Sequence, residues 1–266
     1  MSIKRHARET NNDYIAASNR AAFILIDTRM HTQSSPLNNQ LLAALPANDY
    51  ERLLPNLKCI EMPLGKVLYE PGEALHYACF PTDCIVSLMY IMENGYPTEI
   101  VATGNEGIVG LALFMGGDTM PNRAVVQSAG HGYCLSTAML KKELNLNGPL
   151  LHLFLRYTQA LITLTSQTAA CNRHHSLDQR LCRWLLHYID RLSGNSLVMT
   201  QELIASMLGV RREGVTVAAR YLQEAGLIEY QRGHITVLNR PGLEKRVCEC
   251  YQVVKQEFDR LLPSPH

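Results

Sequence analysis

Two adjacent arginines and a glutamate, Arg211-Arg212-Glu213, open a segment in which apolar and polar residues alternate at helical spacing. At the presented end of a helix, that trio suits the reading of base edges. An arginine donates two hydrogen bonds to guanine, and a glutamate accepts from the amino group of cytosine. Thr216 and Arg220 follow Arg212 one and two helical turns on, so they share its side and would divide between bases and phosphates. The competing reading is a solvated helix face used for protein contact. Charge distribution favours nucleic acid: residues 146–246 hold 12 Lys+Arg against 7 Asp+Glu, residues 40–145 hold 6 against 11, and the 266-residue chain as a whole is nearly neutral at +1. An acidic half joined to a basic half fits a protein of which one part meets an anionic polymer.

Such a helix needs a support that holds its outer face towards the groove. In TQELIASMLGVRREGVTVAARYLQEAGLIEYQRGHITVL, Thr200 is placed to cap a short helix beginning at Gln201, with Leu203, Ile204 and Met207 inward, and both Thr200 and Gln201 lie near the expected DNA. Gly209 supplies a tight turn, and the second helix buries Val215, Ala218, Ala219 and Leu222. IEYQ and HITVL around Arg232-Gly233 form a hairpin, the wing of a winged helix-turn-helix.

Upstream, residues 148–175 read as one long helix. Leu150, Phe154, Tyr157, Leu161, Leu164, Thr168, Cys171 and His175 alternate four and three residues apart, the seam of a helix-to-helix dimer; packing on the neighbouring domain is the other reading. A second helix, LDQRLCRWLLHYIDRL, follows Ser176. From Lys58 to about Ser136 the chain breaks into short runs, KCIEMP, KVLYEPGE, CIVSLMYIM, PTEIVAT, NRAVVQ and GYCLS, with Asn94-Gly95 as a hairpin turn, so a β-sandwich or roll is expected. Two short helices precede it, with Asn48 and Glu51 placed as a capping pair. Residues 1–36 have the composition of a weakly ordered arm, and Met30 offers an alternative start.

Over about residues 40–245 this order of parts resembles the Crp/Fnr family of bacterial transcription regulators. LGVRREGVTVAARYLQEAGLI is similar to the family's G-x-S-R-E-x-V and L-x-x-L-x-x-x-G-L-I patterns. Arg212 and Glu213 fall on its base-reading Arg and Glu, Arg211 stands where Ser is usual, and Val217 where many members carry a further Arg. The resemblance implies an α+β architecture. A cyclic-nucleotide-binding-like β-roll spans 37–145, a dimerisation helix 146–175, and a winged helix-turn-helix domain with a C-terminal helix 176–262. It further implies a homodimer on double-stranded DNA at an inverted repeat, and RNA polymerase as a partner. The family's phosphate cassette is matched in part by Val109-Gly110-Leu111-Ala112-Leu113-Phe114 and Asn122-Arg123-Ala124-Val125. Arg123 is retained, but Gly110 replaces the Glu and Ala124 the Ser/Thr, and each hydrogen bond lost to a charged group costs roughly 1.5 to 3 kcal/mol. Ordinary cyclic AMP is therefore not expected. No cofactor is assigned, the effector pocket is drawn around Arg123, Gly110, Leu111 and Ala124, and Arg123 alternatively pairs with an acid such as Glu106 or Asp118.

Other functions fare worse. A cupin-like enzyme needs clustered histidines, and residues 58–136 hold only His76 and His131. A nucleotide-responsive module acting on a protein partner is the remaining alternative. The eight cysteines contain no C-x-x-C pair and read as reduced thiols of a cytoplasmic protein. No metal site is expected, since His174 and His175 point about 100° apart on one helix. Neither a membrane span nor an export signal is evident.

Overall fold

The computed structural model describes residues 35–262 apart from Asn94. The proposed arm to residue 34, with Met30, and the Asn94 half of the predicted turn lie outside the described residues.

Helices α1 (Gln40–Ala43) and α2 (Ala47–Leu53) open the chain. Asn39 caps α1, and its buried amide donates to the carbonyls of Pro81 and Gly107, each at 2.8 Å. Contrary to expectation, α2 begins before Asn48, with Pro46 at its N-cap and no side-chain capping bond. A proline with its fixed φ already suits that position, so the Asn48–Glu51 pair falls inside the first turn.

Seven strands follow: β1 (Lys58–Met62), β2 (Val67–Tyr69), β3 (Tyr77–Pro81), β4 (Ile85–Ile91), β5 (Pro97–Thr103), β6 (Arg123–Ser128) and β7 (Gly130–Ser136). They form two antiparallel sheets, ordered β1-β7-β3 and β2-β6-β4-β5. Helices α3 (Ala112–Met115) and α4 (Thr137–Leu144) flank them. Phe80, Val86, Leu88, Val126 and Leu135 join the inner faces in one core. Strand β3 is missing from the predicted runs, because it is buried at four successive positions and ends in a proline. It holds Cys79 directly opposite Cys134 of β7, and the two are disulfide-bonded, which corrects the reading of all eight cysteines as reduced thiols. Cross-strand register brought them together, and their 55-residue separation hid the pairing.

Helix α5 (Pro149–His174) spans the predicted long helix. Leu150, Phe154, Tyr157, Leu161, Leu164 and Cys171 are all buried within this single chain, and Thr168 is half-buried. Assigning that stripe to a partner copy is therefore corrected: the chain covers it itself. Phe154 packs on Phe114 at 4.8 Å between ring centroids and on Phe80 at 6.2 Å. A C-terminal helix, running Glu249–Leu261, lies along the rest, with Phe258 edge-on to Tyr157 and Val254 and Leu261 in the same core.

Helix α6 (Leu177–Ile189) starts with a capping box of Ser176 and Gln179. Then come β8 (Ser196–Val198), α7 (Gln201–Leu208), α8 (Arg212–Glu224), β9 (Ile228–Gln231), β10 (His234–Val237), α9 (Arg240–Arg246) and the C-terminal helix already placed, α10. The apolar run of β4 has no polar alternation because the sheet is covered on both sides. Val86 and Leu88 face the roll core, whereas Ile85 and Met89 join Trp184, Leu185, Ile204 and Met207 in a second core beneath the C-terminal domain. At that junction half-buried Glu99 accepts from Ser87 and, at 2.6 Å, from Tyr188, and Arg191 pairs with Glu106 at 2.7 Å. Burial pushes the Glu99 carboxyl above its usual range, while these donors oppose the shift.

Candidate nucleic-acid interface

The reading head is built from short local devices. Thr200 caps α7 by accepting from the Leu203 amide at 3.2 Å, and Gly209 ends it in the left-handed region at φ +63°. This lets the chain reverse without the strain a β-carbon would bring. Ile204, Met207, Val215, Ala218, Ala219 and Leu222 then close the core between α7, α8 and α6. Gly214 faces Leu177 so closely that a β-carbon would lie 2.9 Å from its methyl, and this absence of a side chain seats α8 against α6.

What remains outside is polar. Arg211, at the N-cap of α8, and Arg212, Glu213, Thr216 and Arg220 are all exposed. Among the described residues neither Arg211 nor Arg212 pairs with a carboxylate, whereas Arg220 reaches Glu224 at 3.3 Å on the exposed helix face. Two unneutralised guanidinium groups beside the positive end of a 13-residue helix dipole make an anion-seeking surface. Thr216 donates to Gln201 at 2.6 Å, so two of the expected contact residues also lock α8 to the start of α7. Val217 and Tyr221, each 48% exposed, lie on the same face and were not assigned a role from sequence; exposed apolar groups between arginines are the signal. They could meet a thymine methyl or the sugar edge.

The wing is a two-residue hairpin in which Arg232 and Gly233 both have positive φ, +52° and +81°. These are the signs that a type I′ turn requires. Exposed Arg232 thus sits at the tip of the wing. Tyr230 ties the hairpin down with two bonds: its hydroxyl donates to the Met199 carbonyl at 3.0 Å, and its amide to Gln223 of α8 at 3.0 Å. Strand β8, unread in the sequence, adds a third strand beside β10.

The four residues expected around an effector are differently placed. Arg123 is engaged by Glu70 in a two-pronged pair at 2.6 and 2.7 Å, not by Glu106 or Asp118, which hold Arg191 and Lys141. Ala124 is fully buried in the roll core. Gly110, at φ +114°, packs against the Tyr77 carbonyl, and Leu111 is the N-cap residue of α3. An open cleft of about 570 Å³ lies elsewhere on the roll, among His76, Tyr77, Asp118, Thr137 and Lys141.

Roll, long helix and winged head together make a fold similar to that of Crp/Fnr-type proteins, and comparison with known proteins agrees on the fold. Residues 179–246 match the Crp-like helix-turn-helix domain. The fold is similar to that of FixK2 from Bradyrhizobium japonicum, with a TM-score of 0.63 at 15% identity, covering 72% of this chain and 98% of that one. It is similar also to the c-di-GMP responsive global regulator CLP of Xanthomonas campestris, with a TM-score of 0.58 at 18% identity over 72% of this chain and 99% of that one. A transcriptional regulator of the Crp/Fnr family from Eubacterium rectale gives a TM-score of 0.57 at 20% identity, over 80% and 97% of the two chains. No curated protein sequence matches the chain. No helix among the described residues is long and apolar enough to cross a membrane.

Proposed function

We propose that this protein is a homodimeric, sequence-specific regulator of transcription that binds an inverted-repeat operator in the cytoplasm. In this reading it contacts RNA polymerase as other regulators of its fold do, and its roll answers to something other than ordinary cyclic AMP, or to no small molecule. The observation that carries the DNA reading is the exposed, carboxylate-free pair Arg211 and Arg212 at the N-terminal end of α8, on a head held rigid by Thr216, Gln201 and Tyr230. Support for the dimer comes from a second stripe on α5: Leu151, Leu155, Thr158, Ile162, Thr165 and Ala169 follow the same four-three spacing on its open side, with Leu155 52% and Ile162 61% exposed. Against cyclic AMP stands Glu70, whose carboxylate already occupies the one cation that a cyclic phosphate would need.

Selection from random duplexes tests the proposal. A palindrome should emerge whose half-sites are centred about one helical turn, roughly 34 Å, apart. Arg212→Ala should lose about 1 to 3 kcal/mol on the selected site and relax its preference at one base pair per half-site. Loss of Arg232 should weaken all duplexes alike and reduce the salt slope. No enrichment, or an unaltered base preference in Arg212→Ala, would turn the reading towards a head that binds protein.

A further inference from the structure

Four ligating side chains converge where α5 ends and α10 begins. Cys171 lies in the last turn of α5, and His175 is its C-cap residue, its amide bonded back to the Cys171 carbonyl at 3.0 Å. Cys248 is the N-cap residue of α10, and Cys250 lies in the first turn. Their sulfur and nitrogen donors all fall within 4.8 Å of one another, and the three cysteines are buried.

The spacing of the donors is that of one small ion's coordination shell. Around tetrahedral zinc, with bonds of about 2.3 Å to sulfur and 2.0 to 2.1 Å to nitrogen, two sulfurs stand about 3.8 Å apart and a sulfur and a nitrogen about 3.5 Å. Here Cys171 Sγ lies 3.5 Å from Cys248 Sγ, and Cys250 Sγ 3.6 Å from His175 Nδ1. A multi-iron cluster spreads its ligands over several metal atoms and would need them farther apart. The surroundings fit as well. His175 turns Nδ1 inward while its Nε2 faces the Glu249 carboxylate at 3.3 Å, the outer support that commonly orients a metal-bound imidazole. Arg183 is 7% exposed, has no carboxylate partner among the described residues, and keeps a buried Nε without a hydrogen bond. Its charge acts on both Cys171 and Cys250. A divalent ion with three thiolates carries a net charge of about −1, which is the anion this guanidinium lacks.

We propose that Cys171, His175, Cys248 and Cys250 bind one zinc ion, which ties the end of the long helix to the C-terminal helix at the point where the chain turns into the DNA-binding head. The site takes two ligands from each of two segments more than 70 residues apart in the sequence, so its role is to clamp the junction; with four protein ligands no coordination position is left open for catalysis.

The full-length chain, purified without chelator, should contain about one zinc per chain by plasma mass spectrometry. Cys248→Ser and Cys250→Ser should each lower that content at least fivefold, His175→Cys should retain it, and Cys182→Ser, at a buried cysteine outside the cluster, should leave it unchanged. To keep the test independent of how the variants fold, the wild-type chain loaded with cobalt(II) should give the intense visible bands and thiolate charge transfer of a tetrahedral site. The proposal is overturned by reduced wild-type chain that neither contains nor takes up zinc, by iron accompanied by acid-labile sulfide, by weak octahedral cobalt bands, or by a native Cys171–Cys248 disulfide found in mass mapping.

Discussion

Helix α5 carries two stripes of the same period, offset by one residue, and their fates are opposite. The stripe through Leu150, Phe154, Tyr157, Leu161 and Leu164 is buried in the chain's own core, while that through Leu151, Leu155, Thr158, Ile162 and Thr165 faces out. Composition separates them where period does not. The inner stripe holds both aromatic residues and reaches Phe80, Phe114 and Phe258. The outer one mixes leucine and isoleucine with threonines whose hydroxyls bond back to the helix, Thr158 to the Phe154 carbonyl at 2.9 Å and Thr165 to that of Ile162 at 3.0 Å. A heptad repeat therefore locates a packed seam without saying whose atoms fill it, and bulk is the better guide to what lies inside.

Three experiments can break or sharpen that contrast. The largest effect is expected from Phe154→Ala, which should cost about 3 to 5 kcal/mol by opening a cavity between roll and helix. It should be read as a lowered urea midpoint at unchanged slope, and a change below about 1 kcal/mol would mean that the inner stripe is not core. Next comes a neighbouring pair. Leu161→Glu should lower the unfolding temperature, since a carboxylate would enter the margin of the core, whereas Ile162→Glu should leave the unfolding temperature nearly unchanged and turn a dimer into a monomer of about 30 kDa in light scattering. Equal behaviour of the two variants, or a monomeric wild type at micromolar concentration, would remove the outer stripe as an interface. The smallest effect belongs to Thr158→Leu, which should tighten self-association by no more than about tenfold, roughly 1.4 kcal/mol, through added apolar area. Weakened association in sedimentation would show that the threonine hydroxyl is required at the seam.

How far the sequence could be read follows the same line between local and distant. Capping, turn and period signals are local, and they sufficed for α5, for the α7-turn-α8 unit and for the wing, each set by a few adjacent residues such as Thr200, Gly209 and Arg232-Gly233. Strand β3 escaped because its one strand partner, β7, is distant and its side chains do not alternate in burial. The partner of Arg123, the Cys79–Cys134 bond and the meeting of Cys171 with Cys248 all depend on contacts spanning 53 to 77 residues, for which a single sequence carries no spacing rule. The α8 face stands apart. Its residue types were legible because exposure leaves them few structural duties beyond the Thr216–Gln201 bond and the Arg220–Glu224 pair.

Residues 104–111 touch the head at Arg191, the long helix at Tyr157, the entry turn at Asn39 and strand β3 at Tyr77. Glu106 grips Arg191 of the head, Gly107 lies so close to the Tyr157 hydroxyl that a β-carbon would overlap it, and its carbonyl holds Asn39 at 2.8 Å. Gly110 closes the segment against the Tyr77 carbonyl. In mechanical terms this stretch is a crank with very little slack. Gly110 and Glu106 are separated by only three residues, one of them in close contact with Tyr157, so little slack lies between the Tyr77 carbonyl and the Glu106–Arg191 pair.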